Sequence, residues 1–279
     1  MGKIIRILES PVTPYIVVGV VSFLLLVPVI WMILTSFKTL GEILSIPITI
    51  LPRKPTLEAY IAAFLYAPLL TYLKNSLIIS LACMVIVLIA SIFTAYGLSQ
   101  YKYRHSDKVM LLFLFSRMIP PVSLLVSFYV ILSNMGLIDN LIGVILFSSY
   151  QSYPMIVWLL KGFFDQFPRE LIEAAKVDGC SRTGAFLRVV LPVSANMIAA
   201  IGIIAFMWGW QEFIGPLLFI MSEHNKPVTV GLYWFVGDEG ILWNRLCAAG
   251  TVTIIPGVIF FLLAQRYIIK GLAAGAVKR

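Results

Sequence analysis

Polar residues in this chain do not alternate with apolar ones; they interrupt long apolar runs. Stretches such as 78–95 and 198–207 carry no polar residue at a period of two. A membrane barrel would show that alternation in every strand. Apolar runs of roughly 20 residues instead read as helices, which satisfy their own backbone groups inside a bilayer. Runs bounded by Pro, Gly and charge predict six spans, at about 14–36, 75–99, 109–133, 140–162, 192–220 and 247–268. The first run is too long for a signal-peptide core and lacks a small-x-small cleavage site, so it is expected to stay as a span. The fold class is therefore an all-α membrane protein, read over residues 1–279 as a single membrane domain without repeats.

Composition agrees with this pattern. The 279 residues are 60% hydrophobic and only 12% charged, far more apolar surface than a soluble core of that length uses. A net charge of +8 does not point to nucleic acid here, because the basic residues cluster between apolar runs. Fourteen of the 21 Lys and Arg residues fall on the segments that are inner if the N-terminus is cytoplasmic, among them Lys3, Arg6, Lys102, Arg104, Lys278 and Arg279. That bias predicts a multi-pass protein of the cell membrane with both termini cytoplasmic. Residues 37–74 and 221–246 then become the two long external segments. In the first, Thr56 caps an expected amphipathic helix with Leu57, Tyr60 and Ile61 on one face. Cys83, Cys180 and Cys247 are odd in number and widely spaced, which supports neither a disulfide framework nor a zinc site. His105 and His224 lie on opposite sides of the membrane, and no metal set is expected.

The inner loop 163–191 reads as two short helices. Pro168 suits a first helical turn, Glu170 complements the helix dipole, and Gly179 can take the left-handed conformation that ends a helix. Arg169 and Glu173 stand one turn apart, within pairing distance. Ser181 can cap the second helix, which carries Phe186 and Leu187 before Pro192 opens the fifth span. Ala174 and Ala175 leave room for another surface to approach. Such a helix pair either docks into a soluble partner or lies along the membrane interface.

This loop resembles the EAA signature of permease subunits in binding-protein-dependent ABC importers. Glu173-Ala174-Ala175, Asp178-Gly179, Phe186 and Leu191-Pro192 stand at the family spacing. Phe167-Pro168 and Glu170-Leu171 are similar to the carbohydrate-uptake branch. Asn75-Ser76, Arg117-Met118-Ile119-Pro120-Pro121, Trp210-Gln211-Glu212-Phe213 and the C-terminal Gln265-Arg266-Tyr267 extend the resemblance, which is closest to the maltose-type second permease. Cys180 and Gln211 depart from the family's frequent alanine and asparagine.

The resemblance implies that the 169–190 pair is a coupling helix seated in one subunit of an ATPase dimer, through Glu173, Ala174, Ala175, Asp178, Gly179 and Phe186. No Gly-x-x-x-x-Gly-Lys-Ser/Thr motif occurs in the chain, so ATP and Mg are expected on the partner ATPase and no cofactor on this chain. Further implied partners are a second, non-identical permease and an extracytoplasmic sugar-binding protein, for which Lys226, Asp238, Glu239 and Trp243 are candidate contacts. Charged residues at membrane depth are costly, so Arg117 and Glu212 are expected to face a cavity or pair as structural glue. With Gln211 and Trp210, and beside Trp208, they are the candidate translocation pathway for a sugar, or alternatively for glycerol phosphate or another polyol. A membrane enzyme would need a clustered nucleophile, base or metal set that no span carries. A gradient-driven transporter would need no docking loop.

Overall fold

A computed structural model gives the fold, and it describes residues 12–101, 105–237 and 240–276. The helices in chain order begin with α1 (Thr13–Ser36), α2 (Leu40–Ile43), α3 (Glu58–Leu65), α4 (Leu69–Gln100), α5 (Ser106–Met118), α6 (Pro121–Asn134) and α7 (Leu141–Asp165). They continue with α8 (Arg169–Val177), α9 (Arg182–Ala185), α10 (Leu191–Gln211), α11 (Ile214–Phe219), α12 (Val228–Gly231) and α13 (Trp243–Ala276). The described strands are a two-residue pair, Val236–Gly237 with Gly240–Ile241. Five helical stretches are long and apolar enough to span a membrane, and the pair α5 and α6 makes a sixth that is bent by 94°. The third span, expected over 109–133 with a break at Pro120-Pro121, is thus two helices. Pro120 and Pro121 interrupt it, since neither has an N–H to continue the ladder. The fifth, expected over 192–220, ends at Gln211 and resumes as α11.

The chain divides into two compact units, one built from residues up to Leu69 with Leu232–Ile254, the other from Leu70–Gly231 with residues from Ile255 on. In the first, α1 is apolar all round and exposed along its length, as a lipid-facing helix should be. The loop after α1 is tied to itself. Lys38 is buried, donates from Nζ to the Thr49 carbonyl and lies 4.8 Å from the Trp31 ring. Glu42 accepts from Thr49 Oγ1 at 2.9 Å and from the Arg53 N–H at 2.8 Å. Those bonds hold the Glu42 carboxyl below its ordinary range, the Arg53 N–H first among them. Thr56 Oγ1 does accept from the Glu58 N–H, at 3.1 Å. The buried side of α3, however, is Ala59, Ala62 and Ala63, while Leu57 and Ile61 are 59% and 58% exposed. Of the expected apolar face, Tyr60 is half-buried, its hydroxyl 2.7 Å from Ser36 Oγ and its ring 5.4 Å from that of Phe37, while Leu57 and Ile61 point outward.

In the second unit α7 is the most buried span, packed against α10 on one side and α5 on another. Its Ile156, Leu160 and Phe164 join Val87, Ala95, Ile201 and Ala205 in the main core. Helices α4 and α10 approach closely at Gly209, where an added Cβ would lie 2.9 Å from the Ser80 Cα.

One end of this unit is closed by a clasp around Asp139, in the loop between α6 and α7. Asp139 has φ +57°, a left-handed conformation that Asp tolerates better than most residues. Its Oδ1 accepts from the Met221 N–H at 3.0 Å, the Ser222 N–H at 2.9 Å and the Ser222 hydroxyl at 2.8 Å. The Asn225 amide donates to the Asp139 carbonyl at 2.6 Å, and Asn75 donates to the carbonyls of His224 and Lys226. Glu223 pairs with Lys226 at 2.6 Å and accepts from the Tyr72 hydroxyl. Residues 219–228 are thereby fastened to α4 and to the start of α7.

The Ser222 hydroxyl, followed by the Ser222 and Met221 N–H groups, draws the Asp139 carboxyl from 3.8 down to about 2. A carboxylate whose pKa is lowered by folding stabilises the fold above its unfolded pKa, and that stability is lost as the pH falls through the folded value. The protection factors of residues 219–226 against hydrogen exchange should accordingly fall as the pH drops from about 4 to about 2. Asp139→Asn, which keeps an acceptor, should reduce that acid sensitivity to the part carried by Glu223, and Asp139→Ala should loosen the segment at every pH.

Candidate functional site

Two helix breaks and one internal proline meet in the second unit. The first follows Met118, where Ile119 is extended (ψ 120°) and α6 starts at Pro121. The second is Pro154 inside α7, which leaves the Tyr150 carbonyl without its helical donor while the helix runs on. The third follows Gln211, where Glu212 is extended (ψ 123°) before α11.

One polar chain connects them. Arg117 Nη1 donates to the Gln151 carbonyl at 2.6 Å, and Gln151 Nε2 donates to Glu212 Oε2 at 3.1 Å. Glu212 Oε1 accepts from the Gly215 N–H at 3.0 Å, which supplies the opening turn of α11 with a cap. The Glu212 carbonyl accepts from Thr229 Oγ1 at 2.7 Å. The Arg117 guanidinium lies 5.4 Å from the Trp208 ring centroid, within range of a cation–π contact. Arg117 is exposed and Glu212 half-buried. The arrangement offers a forked donor, a carboxylate and an aromatic face without any direct ion pair between Arg117 and Glu212.

Of the expected pathway residues, then, Arg117 and Glu212 are brought together through Gln151. Gln211 is exposed and stands outside the polar chain. Trp210 is a correction: it is only 6% exposed and stacks on Phe206 at 5.9 Å, which in turn stacks on Phe260. On a helix Trp208 and Trp210 project about 200° apart, so only one of them can face Arg117. Gln151 is the residue that sequence reasoning missed. Its signal was available as a hydrogen-bonding side chain in an apolar run, three residues before a proline.

The 169–190 segment forms the expected hairpin. Gly179 has φ +86°, the Cys180 N–H donates to the Ala175 carbonyl at 2.9 Å, and the Gly179 N–H donates to the Lys176 carbonyl at 3.0 Å. This bond pair is the Schellman ending that a left-handed glycine permits. Ser181 Oγ accepts from the Gly184 N–H at 3.0 Å, as a cap should. Residues 186–190 widen into a π-helical turn just before Pro192, whose missing N–H disturbs the regular ladder.

Glu173, Ala174, Asp178 and Gly179 are exposed and free to meet another surface. Two of the expected contact residues are not. Ala175 packs inward with Ile172, and Phe186 is 4% exposed, its ring 4.4 Å from Tyr96 and 5.6 Å from Phe93. Both were expected to meet the ATPase on the family resemblance, but the amphipathic period of α8 turns Ala175 to the core and the turn at 186–190 directs Phe186 there as well. Leu171, Val177 and Leu187 are the exposed apolar groups there. No ion pair joins Arg169 to Glu173 among the described residues. Of the candidate receptor contacts, Lys226 is engaged by Glu223, Trp243 is 42% exposed, and Asp238 and Glu239 lie outside the described residues.

The family model for the inner membrane component of binding-protein-dependent transport systems matches residues 88–273. The chain belongs to this family. It is a multi-pass membrane permease, and its relatives align along nearly its whole length. The sulfoquinovosyl glycerol transport system permease protein SmoH of Agrobacterium fabrum is 33% identical over 91% of this chain and 89% of its own. The trehalose/maltose transport system permease protein MalG of Thermococcus litoralis is 34% identical, covering 92% and 93%. The diacetylchitobiose uptake system permease protein DasC of Streptomyces coelicolor is 30% identical, covering 98% and 99%. Among solved structures, a bacterial ABC transporter that imports the acidic polysaccharide alginate superposes with a TM-score of 0.78 at 18% identity over 92% of this chain and 95% of its own. That likeness shows the fold.

In this permease the buried and exposed halves of the hairpin should separate cleanly under mutation. Phe186→Ala removes a buried ring from the core and should cost about 3–5 kcal/mol. Glu173→Lys alters an exposed position and should stay within about 0.5 kcal/mol of the unaltered chain. Thermal midpoints of the two variants in detergent measure the difference.

Proposed function

We propose that this permease forms half of the translocation pathway of an ATP-driven carbohydrate importer. Supporting this reading, two relatives that align over more than nine-tenths of the chain are named for sugars, trehalose/maltose and diacetylchitobiose. The polar chain of Arg117, Gln151 and Glu212 beside Trp208 has the chemistry that a sugar uses, hydroxyl partners next to an aromatic face. A polyol-linked cargo is the second reading, favoured by the relative named for sulfoquinovosyl glycerol.

The exposed surface of the 169–190 hairpin, centred on Glu173, Ala174, Asp178 and Gly179, seats in one subunit of an ATPase dimer that binds ATP and Mg. Ala175 and Phe186 serve the same coupling from inside by fixing the hairpin to the bundle. A second, non-identical permease completes the pathway. A loaded sugar-binding protein docks on the opposite, external side, where a structural relative was solved as an alginate transporter with its periplasmic protein. The basic bias of the sequence places both termini in the cytoplasm.

The observation that carries this proposal is a hairpin that exposes Glu173, Ala174, Asp178 and Gly179 while Ile172, Ala175 and Phe186 anchor it in the core. Glu173→Lys should abolish ATP-driven uptake of a labelled trehalose or maltose, together with co-purification of the ATPase, in a chain that still folds. Uptake that persists with the ATPase removed would refute the reading. Glu212→Ala in an assembled complex should lower uptake while cargo-independent ATP hydrolysis continues. Failure of that variant to assemble would instead make Glu212 structural.

A further inference from the structure

Gln151 occupies an unusual position between two charges. Its main chain accepts from Arg117 of the third span at 2.6 Å, and its side chain donates to Glu212 of the fifth at 3.1 Å. Both partners stand at the ends of broken helices, Arg117 in the last turn of α5 and Glu212 immediately after α10. Gln151 itself lies one turn before Pro154 in α7. The amide uses one donor on Glu212, and among the described residues its Oε1 and the remaining guanidinium N–H groups of Arg117 have no further partner.

A direct Arg117–Glu212 pair would neutralise both groups and bury their hydrogen-bonding capacity in each other. A neutral amide between them keeps the two charges apart and fixes their positions through one residue of the central helix. A hydrogen bond to an ionised group is also stronger and more directional than one between neutral partners, so the joint resists independent movement of the two breaks.

We propose that Gln151 is a positioning residue that locks the interruptions of the third and fifth spans into one unit, so that Arg117 and Glu212 are presented to the pathway, or withdrawn from it, together. This rests on the permease reading above, in which both residues line the route of the cargo. It adds a residue to that site and a reason why the breaks after Met118 and Gln211 lie beside Pro154.

The joint is tested by exchanging its chemistry. Gln151→Glu sets a second carboxylate against Glu212. The titratable groups that face the pair are Arg117 from α5, Cys83 from α4 and Tyr150 on α7 itself. Two adjacent carboxylates cannot both ionise without cost, and one proton shared between them relieves it. The complex of this chain with its companion permease and ATPase, in lipid nanodiscs, would be assayed for cargo-independent ATP hydrolysis and thermal midpoint between about pH 5 and pH 8. Gln151→Glu should raise hydrolysis roughly fivefold near pH 8, the low end of coupling between linked sites. Its thermal midpoint should fall by about 2–4 °C, and both changes should fade toward pH 5. The exchange Gln151→Glu with Glu212→Gln keeps one amide and one carboxylate at the joint, and should recover the thermal midpoint lost in Gln151→Glu and remove its pH dependence.

A pH-independent Gln151→Glu, or an exchange variant no better than Gln151→Glu, overturns the proposal. If Gln151→Glu does not assemble, the exchange variant must; its failure to assemble is equally decisive against the joint. Should the unaltered chain associate with no ATPase, the permease reading falls. The pH profile of thermal midpoints, taken on the full chain alone in detergent, then decides the joint separately.

Discussion

Inside a bilayer a peptide group that leaves the helical ladder finds no water, and each orphaned N–H or C=O costs several kcal/mol. Every interruption of a span must therefore bring its own partners, and the second unit is organised around this demand. Beside Pro154, which leaves the Tyr150 carbonyl without its helical donor, Arg117 donates to the neighbouring Gln151 carbonyl. The break after Gln211 is closed by the two carboxylate oxygens and the carbonyl of Glu212, bonded to Gly215, Gln151 and Thr229. The charged residues at membrane depth are thus placed where the broken backbone requires them. Their remaining donors and acceptors are what a polar solute would meet.

The same demand at the helix ends produces ordered connections. Residues 219–228 have little regular structure, yet their N–H groups reach Asp139 and Ser76 and their carbonyls reach Asn75. At the other end of the unit, the hairpin hides its turn carbonyls in the Schellman ending at Gly179 and seats Ile172, Ala175 and Phe186 in the main core. A loop held in this way moves only with the helices that hold it.

Much of this was legible in the sequence, and the failures share a cause. Span existence, the interruption at Pro120-Pro121, the Ser181 cap and the Gly179 ending are local, set by residues within a turn of one another. Arg117 and Glu212 stood out singly, because charge in an apolar run is conspicuous. Their connection did not, since it depends on Gln151, which is 34 residues from one and 61 from the other. Faces of helices were the least legible. On α3 Ala59, Ala62 and Ala63 pack inward while Ile61 and Leu65 stay exposed, so side-chain size rather than apolarity sets the buried side. Phe186 and Trp210 were likewise assigned by neighbourhood, whereas a single residue step turns a helical side chain by about 100°.

The two sites are joined by the very helices that flank the hairpin. Helix α7 runs into it at Asp165 and carries Gln151, roughly 21 Å away at 1.5 Å per residue. Helix α10 leaves it at Leu191 and delivers Glu212, roughly 31 Å away by the same measure. A displacement of the hairpin therefore arrives at the polar chain along both sides of the Gln151–Glu212 hydrogen bond. If the two helices shift together the bond is kept and the breaks travel as one; if they shear, this bond is what must yield. The hairpin's anchoring through Phe186 to Tyr96 and Phe93 of α4 favours the first course, because it ties a third helix to the same displacement. Under the proposed coupling, a pull on the hairpin would act on a packed block rather than a single span, and the Gln151 joint would keep the two charged groups together.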